Sequence, residues 1–299
     1  MPLFENVALF GVGLIGGSLA LDAKRKGLFG HVTACSRRAE TLDAALQKGI
    51  ADKTTLDPIE CAKGADLVVL AAPVSSMEPI AKAIAPALER NTIVTDVGSV
   101  KGQIVEKIER AIPYPSRFVP GHPVAGRERF GTEAAVEGLF AGKRCVLTPT
   151  KTTDKEALRA VRALWEGVGM KVLEMDPHRH DRVLAATSHL PHLIAYALVE
   201  AVMRARETDL DILDFTAGGF HDFTRIAASS PDMWRDIFLM NSSHLDEMID
   251  VFSSALDELK KVIGSHDGIE LRKKLEEIRR VKDQIENMRQ VIDKLENSR

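Results

Sequence analysis

Three cysteines in 299 residues are too few, and too far apart, to build a covalent framework. Cys35, Cys61 and Cys145 are odd in number and form no C-x-x-C pair. That excludes a disulfide scaffold and a cysteine-based metal site, and it fits a reducing compartment. An excess of positive charge is also missing. The chain carries 40 Lys and Arg against 43 Asp and Glu, a formal net charge of −3. No basic field draws in nucleic acid or an anionic membrane, and the acidic excess is too slight for a disordered interaction tail. The most apolar amino-terminal stretch has neither a basic flank nor a cleavage site. Neither a signal peptide nor a membrane span is expected, and the expected compartment is the cytoplasm. There are no internal repeats and no low-complexity segments. The remainder is the composition of an ordinary soluble protein, long enough for about two domains.

The first half alternates strand-like and helix-like segments, as a parallel α/β sheet requires. Strands are expected at 7–10, 31–35, 66–73, 92–96, 117–119, 144–147 and 171–175, with helices over 14–26, 39–48, 77–88 and 100–111 between them. Beyond Asp176 the texture changes, and apolar residues recur at helical spacing to the end. The boundaries that follow are 1–176 for a dinucleotide-binding sheet domain and 177–299 for a helical one. Residues 181–205 read as one long apolar helix interrupted by Pro191, and 244–263 as an amphipathic helix. In the tail, Leu271, Ile278, Ile285 and Ile292 recur every seven residues, with Val281, Met288 and Leu295 three residues after the last three. This coiled-coil-like seam, broken by Lys274 near its start, suits either packing on its own domain or a subunit interface.

The most informative feature lies at the beginning. The apolar run Val7-Ala8-Leu9-Phe10 leads into Gly11-Val12-Gly13-Leu14-Ile15-Gly16 and then a helical segment. A GxGxxG between a strand and a helix is a dinucleotide cradle. Gly11 makes the tight turn, Gly13 lets backbone N–H groups approach a pyrophosphate, and Gly16 lets the helix lie against the strand. Leu14 and Ile15 complete the turn. An NAD site usually carries an acidic residue at the end of the second strand, but here Ser36-Arg37-Arg38 stands there. Two guanidinium groups and a hydroxyl suit a 2′-phosphate, so NADP is expected over NAD. The competing reading has the arginines solvated and Glu40 or Asp43 serving the ribose.

Three further blocks carry chemistry. Asp96-Val97-Gly98-Ser99-Val100-Lys101 lies at a strand end, where Ser99 can cap the next helix or offer its hydroxyl to a ligand. Gly121-His122-Pro123-Val124-Ala125-Gly126 holds an imidazole on a constrained backbone after a strand, where it is either a satisfied loop histidine or a proton-transfer group. In Ser188-His189-Leu190-Pro191-His192 the two histidines lie about one helical turn apart, and Pro191 frees the Thr187 carbonyl and kinks the helix. The spacing lacks the glutamate of H-E-x-x-H, and no metal is expected. Downstream, Arg225 can pair with Asp222 three residues earlier or grip a carboxylate in the cleft.

Together GVGLIGGS, DVGSVK, GHPVAG, SHLPH and GGFHDFTRIA, followed by Pro231-Asp232-Met233-Trp234, resemble the prephenate and arogenate dehydrogenases of tyrosine biosynthesis over nearly the whole chain. The resemblance implies a Rossmann-type parallel sheet domain followed by an all-α dimerisation domain, and hence a homodimer. It implies oxidative decarboxylation of prephenate to 4-hydroxyphenylpyruvate, or of arogenate to tyrosine, with hydride transfer to NADP or NAD. Within it His122 takes the catalytic position, Ser99 the substrate-hydroxyl partner, His192 the second active-site histidine and Arg225 the carboxylate anchor. Arg127 stands where many relatives have a small hydroxyl residue, and it either contacts the substrate side chain or is solvated. The 299 residues carry no chorismate mutase or regulatory extension of the kind some relatives have, so any tyrosine inhibition is expected in the cleft itself. The competing functions are another NAD(P)-dependent hydroxyacid dehydrogenase and a non-catalytic NADP-binding sensor.

Overall fold

The computed structural model describes residues 1–126, 131–206 and 211–297. Arg127 therefore lies outside the described residues. Internal contacts divide the chain into two compact units, Met1–Leu245 and Asp246–Arg299.

The first unit opens as a doubly wound sheet. In chain order it contains β1 (Phe4–Phe10), α1 (Leu14–Arg25), β2 (Phe29–Cys35), α2 (Ala39–Gln47), β3 (Lys53–Thr55), α3 (Pro58–Ala62), β4 (Leu67–Leu70), α4 (Val74–Ile84), β5 (Ile93–Asp96), α5 (Gly102–Ala111) and β6 (Phe118–Val119). The strands lie in the order β3-β2-β1-β4-β5-β6, all parallel. Alternate residues serve opposite faces, as strand geometry demands. Val7 and Leu9 of β1, with Leu67 and Val69 of β4, join one core, which also holds Leu19 of α1 and Leu42 of α2. Ala8 and Phe10, with Val68 and Leu70, join the other, with Met77 and Ile84 of α4 and Ile104 and Ile108 of α5. Burial on both faces is why these strands read as continuous apolar runs.

A second, three-stranded sheet follows, with β7 (Gly121–Val124) antiparallel to β8 (Arg144–Leu147), which is parallel to β9 (Lys171–Glu174). Between β8 and β9 runs α6 (Lys155–Gly167), which places fully buried Trp165 in the first core. The sequence places His122 in a loop, whereas the structure puts it in β7 opposite Val146. Pro123 disguises this strand. β7 is an edge strand, where a residue without an N–H is tolerated. β3, too short to show alternation, also escapes the sequence reading.

The rest is helical: α7 (Pro177–Leu184), a π-helical turn at Ala185–His189, α8 (Leu190–Arg206), α9 (Gly218–Thr224), α10 (Pro231–Met240), α11 (Ser242–Gly264) and α12 (Gly268–Asn297). Asp176 starts α7 by accepting from His178 N (2.9 Å) and Arg179 N (3.0 Å), with Pro177 in the first turn. The break expected at Pro191 takes the form of the π turn just before it, where the ladder widens around the missing donor. In the second unit, Ile278, Val281, Ile285 and Met288 of α12 are exposed on the single chain.

Candidate active site

The glycine turn sits where the strand order reverses, between β1 and β4. Each glycine has a distinct steric reason. Gly11 has φ +102°, and a Cβ there would meet Ala71 O at 2.4 Å. A Cβ on Gly16 would stand 2.1 Å from Gly11 O, whereas one on Gly13 would meet nothing within 4 Å. The cradle is thus open only at Gly13, at the amino end of α1. That helix has no side-chain cap and no acidic residue in its first turn. Unpaired amides and an uncompensated helix dipole facing open space suit a pyrophosphate. At the end of β2, Ser36 is half-buried, and Arg37 and Arg38 are exposed.

A cavity of about 540 Å³ runs from this turn to the helical segments. Gly13, Leu14 and Ile15 line it, as do Ser99, His122, His189, His192 and Trp234. Its size is that of a small-molecule site. Three of the expected site residues, Ser99, His122 and His192, therefore share one cavity with the cofactor turn. Arg225 is exposed and is not among the lining residues, although its neighbour Ile226 is.

The local structure explains how each group is held. Ser99 does not cap α5, which begins three residues later and has no cap from within its own segment. Its first amides are held by Asp181 of α7, whose carboxylate accepts from Lys101 N and Gly102 N, both at 2.7 Å. Ser99 is left half-buried and facing the cavity. Below it, Lys101 and Asp96 form a fully buried ion pair. The Lys101 ammonium also donates to Gly121 O at 2.8 Å, while Asp96 accepts from Gly98 N (2.8 Å) and Gly121 N (3.1 Å). The residue preceding His122 is thus clamped on both its polar backbone atoms.

His122 Nδ1 lies 2.8 Å from His180 Nε2, and His180 Nδ1 lies 2.8 Å from Asp181 Oδ1. Burial holds the His122 imidazole well below its ordinary pKa, and positive charge at His180, Lys101 and His189 would lower it further. His180 is lowered chiefly by burial, partly offset by Asp181, and His189 is pushed down by burial to about 4. Asn241, whose amide nitrogen also donates to Asp181 O at 2.8 Å, donates to His189 Nδ1 at 3.0 Å. His189 therefore carries its proton on Nε2. His192 donates from Nδ1 to Ser188 O at 2.8 Å and stacks on Trp234 at 3.7 Å, leaving Nε2 as an acceptor. His189 Nε2 and Trp234 Nε1 are buried donors with no protein partner among the described residues. Donors of that kind are satisfied by ligand or ordered water. Asp236, another lining residue, accepts from Ser75 Oγ and from two nitrogens of Arg235, which ties α10 to α4. Among the described residues no cluster of His, Cys, Asp or Glu could hold a metal ion.

Sequence reading missed Lys101, His180, Asp181 and Asn241. A buried lysine cannot be told from a solvated one in sequence. The His-Asp pair offered the one signal, since it stands two helical turns ahead of Ser188-His189.

A doubly wound sheet with a glycine cradle, whose cavity is closed by histidine-bearing helices, defines a nicotinamide dinucleotide-dependent oxidoreductase. The comparisons narrow the class. The family models described as "Prephenate dehydrogenase, nucleotide-binding domain" and "Prephenate dehydrogenase, dimerization domain" match residues 19–174 and 176–277. The chain belongs to the prephenate dehydrogenase family. It is 37% identical to the cyclohexadienyl dehydrogenase of Zymomonas mobilis over 269 residues, 90% of this chain and 92% of that one. The crystal structure of A. aeolicus prephenate dehydrogenase in complex with hydroxyphenyl propionate and NAD+ superposes with a TM-score of 0.88 at 39% identity, covering 94% of this chain and 98% of that one. Synechocystis arogenate dehydrogenase gives a TM-score of 0.78 at 32% identity, covering 94% and 99%.

Gly16→Ala is expected to cost about 1–3 kcal/mol, because its methyl would collide with backbone, and thermal melts of the variant should show it. Gly13→Ala should melt like the parent yet bind dinucleotide at least about tenfold more weakly in a fluorescence titration, a loss of ~1.4 kcal/mol. The buried histidines set a second expectation. With folded pKa values below the unfolded value of about 6.5, the unfolded chain binds more protons on acidification. Stability should fall as pH drops from about 6.5 towards the folded value, which for His189 is about 4. A melting temperature constant over that window would contradict the burial of these rings.

Proposed function

We infer that this chain catalyses the oxidative decarboxylation of prephenate to 4-hydroxyphenylpyruvate, or of arogenate to tyrosine, with hydride transfer to NADP or NAD. The observation that carries this reading is the single cavity in which the open Gly13 cradle meets Ser99, His122 and His192. Family membership and relatives named as cyclohexadienyl, prephenate and arogenate dehydrogenases support the substrate class.

The substrate is a cyclohexadiene with a ring hydroxyl and, across the ring, a carboxylate. When bound at the glycine cradle, the nicotinamide supplies the hydride acceptor. His122, neutral because it is buried, accepts the hydrogen bond of the ring hydroxyl and takes its proton as hydride leaves that carbon. Ser99 orients the hydroxyl. Loss of the carboxylate as carbon dioxide then aromatises the ring, so the protein has mainly to position the diene and handle one proton. His192 and the His189 Nε2–H offer an acceptor and a donor to polar parts of the substrate. Arg225, beside the cavity wall at Ile226, is the proposed carboxylate anchor. Its grip must not tighten in the ground state alone, since only differential binding accelerates the step.

NADP is the proposed cofactor, on the strength of Ser36, Arg37 and Arg38 at the end of β2. A homodimer through the helical part is the proposed assembly, supported by the dimerization-domain match and the exposed seam of α12. Cytoplasmic location is proposed from three buried free cysteines.

With prephenate or arogenate and NADP, reduced nicotinamide should accumulate. His122→Asn should lower kcat by about two to four orders of magnitude with dinucleotide affinity kept. Turnover close to the parent's would remove His122 from its role. Arg225→Ala should raise the substrate KM with little change in dinucleotide affinity. Replacing Arg37 and Arg38 by alanine should weaken NADP binding by about tenfold or more, the scale of a lost charge-assisted pair, and leave NAD nearly unchanged. Equal losses for both dinucleotides would assign the arginines another role.

A further inference from the structure

His180 and Asp181 are not among the residues that line the cavity, yet they are 0% and 2% exposed and stand in line behind His122. Their hydrogen bonds have only one consistent polarity. Asp181 accepts from Lys101 N and Gly102 N, which can only donate, and its carboxyl is held below the usual range although burial opposes this, because His180 and those two amides donate to it. An ionised carboxylate cannot donate, so His180 Nδ1 carries a proton and donates to Asp181 Oδ1. The neutral His180 ring then has only a lone pair on Nε2, which must accept from His122 Nδ1–H across 2.8 Å. By elimination the lone pair of His122 is on Nε2.

We propose that His180 and Asp181 are positioning residues that lock His122 in the tautomer able to accept the substrate's hydroxyl proton. Without them a neutral imidazole could place its proton on either nitrogen, and the Nε2–H form cannot act as a base. The relay also serves the protonated state. When Nε2 takes up the hydroxyl proton, the Nδ1–H stays in its bond to His180, and the new charge is shared towards the Asp181 carboxylate. No second proton has to move. The groups facing His122 from the surrounding elements are Lys101, which Asp96 of β5 neutralises, His189 on the π turn, and the Cys145 thiol on β8. Burial raises the Cys145 pKa, so it stays protonated. Asp181 is therefore the nearby carboxylate not already consumed by an ion pair with lysine.

The proposal rests on His122 being the base, and its tests separate the two ideas. Nitrogen-15 NMR of the histidine rings in the full-length protein reads the tautomer without turnover. The expected result is an Nδ1–H, unprotonated Nε2 ring for His122 at neutral pH, and an Nε2–H ring would overturn the relay. In steady-state assays, His180→Phe should lower kcat by about 100-fold or more, the low end of what general-base help is worth, with substrate KM and dinucleotide affinity kept. It should also move the acid limb of kcat/KM to lower pH, since the protonated ring loses its acceptor. His180→Gln, whose amide can accept from His122 and donate to Asp181, should recover most of that loss. Equal impairment of both variants with an unmoved acid limb would reduce His180 to packing and overturn the proposal. If His122→Asn left turnover intact while the spectrum showed the expected tautomer, the assignment of the base would fail and the relay geometry would stand.

Discussion

The arrangement of the candidate site depends on the buried ion pair between Lys101 and Asp96. Two charges removed from water cost several kcal/mol each, and such a pair persists where its remaining hydrogen-bonding capacity is also met. Here it is met by the chain's own backbone, with Gly98 and Gly121 donating to Asp96 and Gly121 O accepting from Lys101. The pair thereby sets the path of the loop after β5 and its distance from β7. Ser99 lies within that loop, and His122 directly follows the clamped glycine. Next to the pair, Lys101 N and Gly102 N donate to Asp181, so the same short segment also ties the middle of α7 to the start of α5.

From this anchor the chemistry is assembled out of distant pieces. The cofactor turn follows β1, the serine follows β5, the imidazole belongs to a strand of the second sheet, and the remaining histidines come from helices. Burial lowers the pKa of His122 and His189 beside the cavity and of His180 behind it, favouring the neutral state that a proton acceptor needs. Val100 packs with Trp234 and Ile237, while Asp236 takes up Ser75, so apolar and polar contacts both fasten α10 over the carboxyl ends of the strands. Trp234 in turn supports the ring of His192.

Much of this was legible in advance, and the exceptions share a cause. Burial of β1 and β4 on both faces follows directly from their apolar runs, and the glycine turn announced its steric logic residue by residue. Pro123 hid β7 because a local rule against proline in strands does not know which strand will be an edge. Ser99 looked like a cap because caps are sought next door, whereas the carboxylate that holds α5 comes from 80 residues away. Lys101 carries the same symbol whether solvated or buried, and nothing nearby marks it as the partner of Asp96. Arg225, expected to face the cavity, is exposed on this chain beside it.

The amino-acid order alone determined the class of fold, the dinucleotide turn and the short list of reactive side chains, because periodicity, glycine sterics and residue chemistry act over a few positions. Only the tertiary structure decided which of those side chains meet, which imidazole nitrogen bears a proton and which charges lie beyond the reach of water. Those outcomes depend on hydrogen-bond partners and local dielectric supplied by residues far apart along the chain, so they exist only once the sheet and its helices have closed together.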